Sequence, residues 1–134
     1  MAISKGLTQV TWSSSNSTTI TAGSNATSDA MTFGATSFRA SLQVKADNSG
    51  TPASGHTVDI YILYTNGTVD GAEGTDTYDT RTQGTWIATI DTNTDDPGVH
   101  TVEINPASKG FKLYAVNNAA NSVVVSAQLY EISG

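Results

Sequence analysis

The 134-residue sequence contains no cysteine and no long apolar run. Without cysteine the chain has neither a disulfide framework nor a thiolate nucleophile, so its stability must come from packing or assembly. The segment MAISKGLTQVTW lacks the apolar core of a signal peptide, and no later run approaches the ~20 apolar residues of a membrane span. We therefore expect a chain made in the cytoplasm without a membrane partner.

Charge is also scarce, and most of it is negative. Charged residues make up 13% of the chain, with six basic against twelve acidic residues and a net charge of -6. Nucleic-acid-binding domains carry a basic surface that neutralises phosphates. The composition therefore argues against a nucleic-acid partner.

Helix formers such as Leu, Glu, Lys and Gln are few, whereas Thr, Ser, Asn and Gly are abundant. Thr is β-branched and suits a pleated strand, while Gly, Asn and Ser suit tight turns. A chain of this length fits one domain, and such a domain buries roughly two-thirds of its unfolded surface. We expect residues 1–134 to form a single all-β domain.

Short runs of alternating apolar and polar residues recur along the chain between turn-forming residues. In SFRASLQVKA, for example, Phe38, Ala40, Leu42 and Val44 share one face, which indicates a half-buried antiparallel strand. Runs of this kind predict eight or nine strands at roughly ten-residue spacing. This predicts an antiparallel β-sandwich, and a jelly roll of two packed sheets accommodates the strand count.

Two connections between the predicted strands differ in length. The polar interval 65–84 exceeds a normal hairpin loop, so we expect it to be functional, mobile or ordered by a partner. GTWIATID and GVHTVEIN are separated by a short turn sequence instead. We expect these two runs to form a hairpin.

GFKLYAVN and SVVVSAQLYEI carry apolar residues on both faces, as central and doubly covered strands do. TVDIYILY also has apolar residues on its second face, which is therefore not wholly a water face. The second faces of TVDIYILY and GFKLYAVN hold Tyr61, Leu63, Tyr114 and Val116. If these side chains lie on an outer sheet face, they form an apolar patch that needs a protein cover, and we predict an interface there. The alternative is that they form the inner face.

The stretch DTNTDDPG places acidic and amide side chains at alternate positions, as a calcium-binding loop does. Asp91, Asn93, Asp95 and Asp96 are its calcium candidates. Asp96 stands where such a loop requires glycine, and Val102 stands where it requires glutamate. Because Asp-Asp-Pro-Gly is also a good turn sequence, we favour a turn over a metal site.

No catalytic motif is present. His56 and His100 belong to no metalloprotease motif and have no metal-ligand spacing, and no G-x-S-x-G nucleophile motif occurs. We therefore predict no catalytic residues, no cofactor and no enzymatic activity.

A carbohydrate-binding module is an alternative, because such modules are often β-sandwiches that stack exposed aromatic rings on sugars. The aromatic candidates are Trp12, Tyr61, Trp86, Tyr78, Tyr114 and Tyr130. Most of them are needed for the core, and Tyr78 in the long loop is the first candidate for a glycan contact.

The arrangement from Ser37 to Ile132 resembles the β-sandwich decoration, or cement, proteins of tailed-bacteriophage heads. The resemblance rests on TVDIYILYTNG, the long polar loop, GTWIATIDT and FKLYAVNNAANS leading into a Val-rich final strand. It is one of pattern rather than of a diagnostic motif.

This resemblance implies a structural protein on the outer surface of a phage capsid, made in the host cytoplasm. Its implied partners are the major capsid protein and further copies of itself in a dimer or trimer. The resembled proteins often carry N-terminal arms, and the small residues from Met1 through Ala2, Ile3, Ser4 and Lys5 to Gly6 suit one. A tail or baseplate structural protein is a further alternative.

Overall fold

Residues 2–71 and 75–134 are described by a computed structural model. They form ten strands: β1 (Ser4–Gln9), β2 (Thr18–Ile20), β3 (Asn25–Thr27), β4 (Met31–Thr32), β5 (Ser37–Asn48), β6 (Thr57–Thr65), β7 (Thr85–Asp91), β8 (Gly98–Ile104), β9 (Gly110–Asn117) and β10 (Val123–Ser133). Within these ranges no helix has the length and apolar character needed to cross a membrane.

The strands form two antiparallel sheets in a jelly-roll arrangement. The first sheet has the order β1-β10-β5-β8, and the second has the order β3-β9-β6-β7. From β5 onward the chain crosses repeatedly between the sheets, so sequence neighbours such as β9 and β10 lie in different layers. The predicted all-β antiparallel sandwich of jelly-roll type is confirmed.

The strand count is ten rather than the predicted eight or nine. Two positions in the sandwich are each occupied by a broken strand, since β1 and β2 both pair with β10 and β3 and β4 both pair with β9. The sequence pattern missed β3, whose three residues Asn25–Thr27 are too few to show an alternation.

The predicted hairpin between GTWIATID and GVHTVEIN is wrong. The first run is β7 and pairs with β6, whereas the second is β8 and pairs with β5 in the other sheet. Each strand has one core-facing side, with Ile90 buried on β7 and Ile104 buried on β8. Alternation identifies that side but does not select the partner strand, because both layers face the same core.

The core lies between the sheets and decides which faces point inward. The second sheet contributes Val58, Ile60, Ile62, Phe111, Leu113 and Ala115, and the first contributes Leu42, Val44, Ala46, Val123, Val125 and Leu129. Successive side chains of a strand point to opposite faces. Tyr61, Leu63, Tyr114 and Val116 therefore lie on the outer face of the second sheet.

The N-terminal strand begins earlier than the sequence indicated. Ser4, Lys5 and Gly6 belong to β1 and pair with Ser133, Ile132 and Glu131. The prediction of a flexible arm over residues 1–6 is therefore wrong for these three residues, because their backbone is held in the first sheet. Ala2 and the exposed Ile3 precede β1, and Met1 lies outside the described residues.

Candidate functional site

The long connection between β6 and β7 folds back onto the outer face of the second sheet. The Asp79 N–H donates a hydrogen bond to the Tyr64 carbonyl oxygen at 2.9 Å, and Thr65 and Tyr78 form an isolated β-bridge. Gly84 lies so close to Leu63 that a Cβ at residue 84 would stand 2.5 Å from the Leu63 Cδ2 atom. Leu63 is consequently only 4% exposed.

This cover changes the interpretation of the predicted interface residues. Leu63 is buried under its own chain, so it is unavailable to a partner. Tyr61, Tyr114 and Val116 remain half-buried on the same face. The apolar patch was expected to need a protein cover, and the connection between β6 and β7 supplies part of it.

Two cation–π contacts hold the connection to the sheet. The Arg81 guanidinium carbon lies 4.9 Å from the centroid of the Tyr114 ring, and the Lys112 ammonium nitrogen lies 4.5 Å from that of the Tyr78 ring. Partial burial, with a smaller contribution from Asp76, raises the pKa of Tyr78 above its ordinary value. Tyr78, the predicted glycan contact, is thus a half-buried anchor of the connection.

Three aromatic residues lie side by side on this face. Tyr114 on β9 pairs with Tyr61 on β6, and Tyr61 pairs with Trp86 on β7. The ring centroids of Tyr61 and Tyr114 are 6.1 Å apart, and the Trp86 side chain is 56% exposed. We call Tyr114, Tyr61 and Trp86 the aromatic row.

A chain of polar side chains runs beside the aromatic row. The Trp86 indole N–H donates to Thr89 Oγ1 at 3.0 Å, and Thr89 Oγ1 donates to Asp59 Oδ1 at 2.6 Å. Asn118 Nδ2 donates to the other carboxylate oxygen of Asp59 at 2.9 Å. We call Thr89, Asp59 and Asn118 the polar row, and its hydrogen bonds fix the orientation of all three side chains.

The outer face of the first sheet is built differently. Its central residues are uncharged: one row is Leu7, Tyr130 and Ser41, with the charged Glu103 opposite Ser41 on the edge strand β8, and the next row is Gln9, Gln128, Gln43 and Thr101. These residues line neighbouring shallow depressions rather than a deep pocket. We call these seven residues the open face.

Charged residues lie at the ends of the open face. Lys5 and Arg39 are at one end, where Arg39 forms an exposed ion pair with Glu103 on the edge strand β8, and Lys45 is at the other end. Gln43 Nε2 donates to Thr101 Oγ1 at 3.1 Å within the uncharged centre. The face thus has an uncharged centre and charged ends, as protein contact surfaces commonly have.

The segment from Asp91 to Gly98 connects β7 to β8 by a turn. Asp91 Oδ1 accepts hydrogen bonds from the Asn93 and Thr94 N–H groups, and Oδ2 accepts one from Thr94 Oγ1. These bonds, led by that from Asn93, lower the pKa of the Asp91 carboxyl below its ordinary value. Asp96 Oδ1 accepts a bond from the Asn48 N–H. The geometry is that of a hydrogen-bonded turn.

The two histidines lie in different parts of the fold, His56 just before β6 and His100 on β8. His56 Nδ1 accepts a hydrogen bond from the Ala53 N–H at 3.2 Å and also lies 3.3 Å from Asn48 Nδ2, while His100 is exposed on β8. Among residues 2–71 and 75–134, no three His, Asp or Glu side chains converge as a metal site would require.

Comparisons with known proteins give the fold but no family. No family model matches the chain, and no curated protein sequence is significantly similar to it. Its structure is similar to that of Clostridium thermocellum xylanase 10B CBM22-1-GH10 modules complexed with xylohexaose, with a TM-score of 0.57 and 13% identity over 97% of this chain. It is also similar to the VP2 subviral particle of infectious bursal disease virus, with a TM-score of 0.50 and 12% identity over 98% of this chain.

The chain spans only 25% of the xylanase chain and 32% of the VP2 chain. At these identities the similarity establishes a shared β-sandwich fold. A fold of this kind hosts both structural and binding modules, so function has to be argued from the surfaces.

Proposed function

We propose that this chain is a non-enzymatic structural protein of a bacteriophage virion. In this proposal it is made in the host cytoplasm, binds the major capsid protein on the outside of the head and stabilises the shell as a decoration protein. The sequence resemblance to such proteins supports the proposal. The jelly-roll fold shared with a viral particle protein is compatible with it.

The open face is the observation that carries the proposal. It crosses β1, β10, β5 and β8, and none of its seven residues is charged. Glu103, which lies opposite Ser41 on the edge strand β8, is paired with Arg39. Burying such a surface against another protein incurs no penalty for desolvating an unpaired charge. Its flat shape suits the wide contact of a shell protein better than it suits a small molecule, which needs a concave pocket.

Binding to a shell would be strengthened by self-association into a dimer or trimer. Once one protomer of an oligomer is bound, the others contact neighbouring capsid subunits at high effective concentration. Several modest contacts by open faces would then hold the oligomer firmly. The same contacts would bridge capsid subunits and resist the outward pressure of packaged DNA.

Cosedimentation of the purified chain with undecorated, expanded phage heads tests the proposal, and light scattering after size exclusion gives the mass of the free protein. We expect saturable binding at a fixed ratio to the capsid subunit and a dimeric or trimeric mass. Absence of binding together with a monomeric mass would overturn the proposal. Binding to purified tails instead of heads would favour a tail or baseplate protein.

A charged substitution in the open face tests whether this surface, rather than the outer face of the second sheet, binds the head. Gln128→Arg should weaken head binding by at least about a hundredfold, because an unpaired charge buried in a protein contact costs several kcal/mol. Asn25→Arg makes the same charge change at an exposed position of the second sheet and serves as the matched control. Equal binding by both variants would contradict the role of the open face.

A further inference from the structure

We infer that the aromatic row and the polar row together form a binding site for a neutral oligosaccharide. This site lies on the second sheet and is separate from the open face. The inference does not depend on the proposed virion role. It rests on the placement of ring faces beside oriented hydrogen-bonding groups.

The aromatic row supplies the surface on which sugar rings can stack. Tyr114, Tyr61 and Trp86 lie in register on three adjacent strands, and neighbouring strands are about 4.8 Å apart. The row therefore extends roughly 10 Å across the sheet. Because Arg81 lies over the Tyr114 ring, Tyr61 and Trp86 are the rings of the row that Arg81 leaves uncovered. Trp86 at the edge strand is the most exposed of the three, so it is the natural first stacking platform.

The polar row supplies hydrogen bonds to sugar hydroxyl groups. A carboxylate can accept about four hydrogen bonds, and within the described residues Asp59 accepts two from side chains, those of Thr89 and Asn118. Its remaining lone pairs can accept sugar hydroxyls. Because Thr89 and Asn118 already fix the carboxylate, little side-chain freedom is lost when a ligand binds.

The aromatic row is closed at one end and open at the other, and the charge of Asp59 beside it favours a neutral ligand. Arg81 lies over Tyr114 and donates a hydrogen bond to Thr27 Oγ1, which closes the row at the β3 side. The opposite end, at Trp86 on the edge strand, is open. Asp59 would repel an anionic sugar, so neutral oligosaccharides are the class that fits.

A protein partner fits this surface less well. A broad protein contact would strip water from the Asp59 carboxylate, and that desolvation is costly unless the partner places a cation beside it. A sugar instead replaces water molecules with hydroxyl groups of similar hydrogen-bonding capacity. The combination of exposed aromatic rings with a fixed carboxylate and amide therefore favours a sugar.

Tryptophan fluorescence tests the inference directly, because Trp12 is 3% exposed and Trp86 is 56% exposed. The full chain is titrated with a panel of neutral hexasaccharides, each with a different sugar or linkage, and acrylamide quenching is followed. We expect at least one to protect Trp86 from the quencher. Trp86→Ala should weaken its binding, measured by calorimetry, at least about tenfold through loss of ring stacking.

Two further variants are needed: one is a control for loss of an exposed ring, and the other tests the polar row. Phe38→Ala removes an aromatic ring of similar exposure, 54%, from the first sheet and should leave sugar binding unchanged. Asp59→Asn keeps the shape of the polar row and should weaken binding while thermal unfolding stays cooperative. Failure of every hexasaccharide to bind, or equal effects of Trp86→Ala and Phe38→Ala, would overturn the inference. Loss of head binding in Trp86→Ala without sugar binding would instead make the row a protein contact.

Discussion

The outer faces of the two sheets each carry a leucine, and the two leucines differ in how much of the side chain is exposed. Leu63 on the second sheet is 4% exposed beneath the connection between β6 and β7, whereas Leu7 on the first sheet is 65% exposed. Both lie on strand faces that point away from the core. The difference shows that one outer leucine is covered by the protein's own chain, whereas the other is left exposed to solvent.

The cover itself comes from a few specific contacts. Gly84 permits close approach to Leu63, while Arg81 and Tyr78 attach the connection through ring contacts. Beyond this cover, the aromatic row remains partly accessible. The first sheet instead presents uncharged residues across four strands. The second sheet therefore carries a narrow row of aromatic rings beside oriented polar groups, and the first carries a wide surface with an uncharged centre.

Truncation of the two leucines should give the largest contrast. We expect Leu63→Ala to lower the free energy of unfolding by about 2 to 4 kcal/mol, because it leaves a cavity beneath the covering connection. Leu7→Ala should change it by less than about 0.5 kcal/mol, since Leu7 is already solvated. Urea denaturation of both variants measures the difference. Similar losses for the two would show that Leu63 is not buried as described.

Removal of the two arginines should give a smaller contrast. Arg81→Ala should destabilise the protein by roughly 0.5 to 1 kcal/mol through loss of its contact with the Tyr114 ring. Arg39→Ala breaks only an exposed ion pair with Glu103 and should cost at most about 0.5 kcal/mol. Hydrogen exchange should also accelerate in residues 75–84 for Arg81→Ala alone. Unchanged exchange there would argue against Arg81 as an anchor.

The smallest expected effect is a pH dependence at Tyr78. Its pKa is raised in the folded protein above the ordinary value of 10.0, first by burial and then by Asp76. The unfolded chain therefore loses this proton at lower pH, so the contribution of Tyr78 is present below about pH 10 and is lost as pH rises through the folded pKa.

Tyr78→Phe removes the titrating hydroxyl and should flatten this part of the stability profile. Urea unfolding of both proteins from about pH 9 to about pH 11 measures the change. Parallel profiles for the two proteins would contradict the raised pKa of Tyr78 in the folded protein.

Strand alternation in the sequence predicted much of the sandwich but not its connections. GFKLYAVN and SVVVSAQLYEI were predicted to be central, doubly covered strands. Both are central in their sheets, and Arg81 of the connection covers Tyr114 on β9, whereas Gln128 on the outer face of β10 is exposed. The hairpin between β7 and β8 was predicted wrongly, because a short turn can join strands of different sheets in a jelly roll.

The candidate sites could be predicted less well from the sequence than the fold could. Trp86 and Tyr61 were both aromatic candidates, yet their adjacency follows from the pairing of β6 with β7 across a bulge. The hydrogen bonds that link Thr89, Asp59 and Asn118 join residues of β7, β6 and the segment after β9. No spacing in the sequence brings these three residues together.

The sequence by itself determined the all-β class and the two alternating faces of the long strands, because side-chain alternation is a local property with a period of two residues. It left open which face of TVDIYILY and GFKLYAVN points to the core, and the packing of the two sheets decided that. The tertiary structure alone decided which strands pair, which leucine is covered and which aromatic rings stand side by side. Those outcomes depend on contacts between residues far apart in the chain. In a sandwich with one shared core, several pairings satisfy the same local pattern, and only packing of the whole chain selects among them.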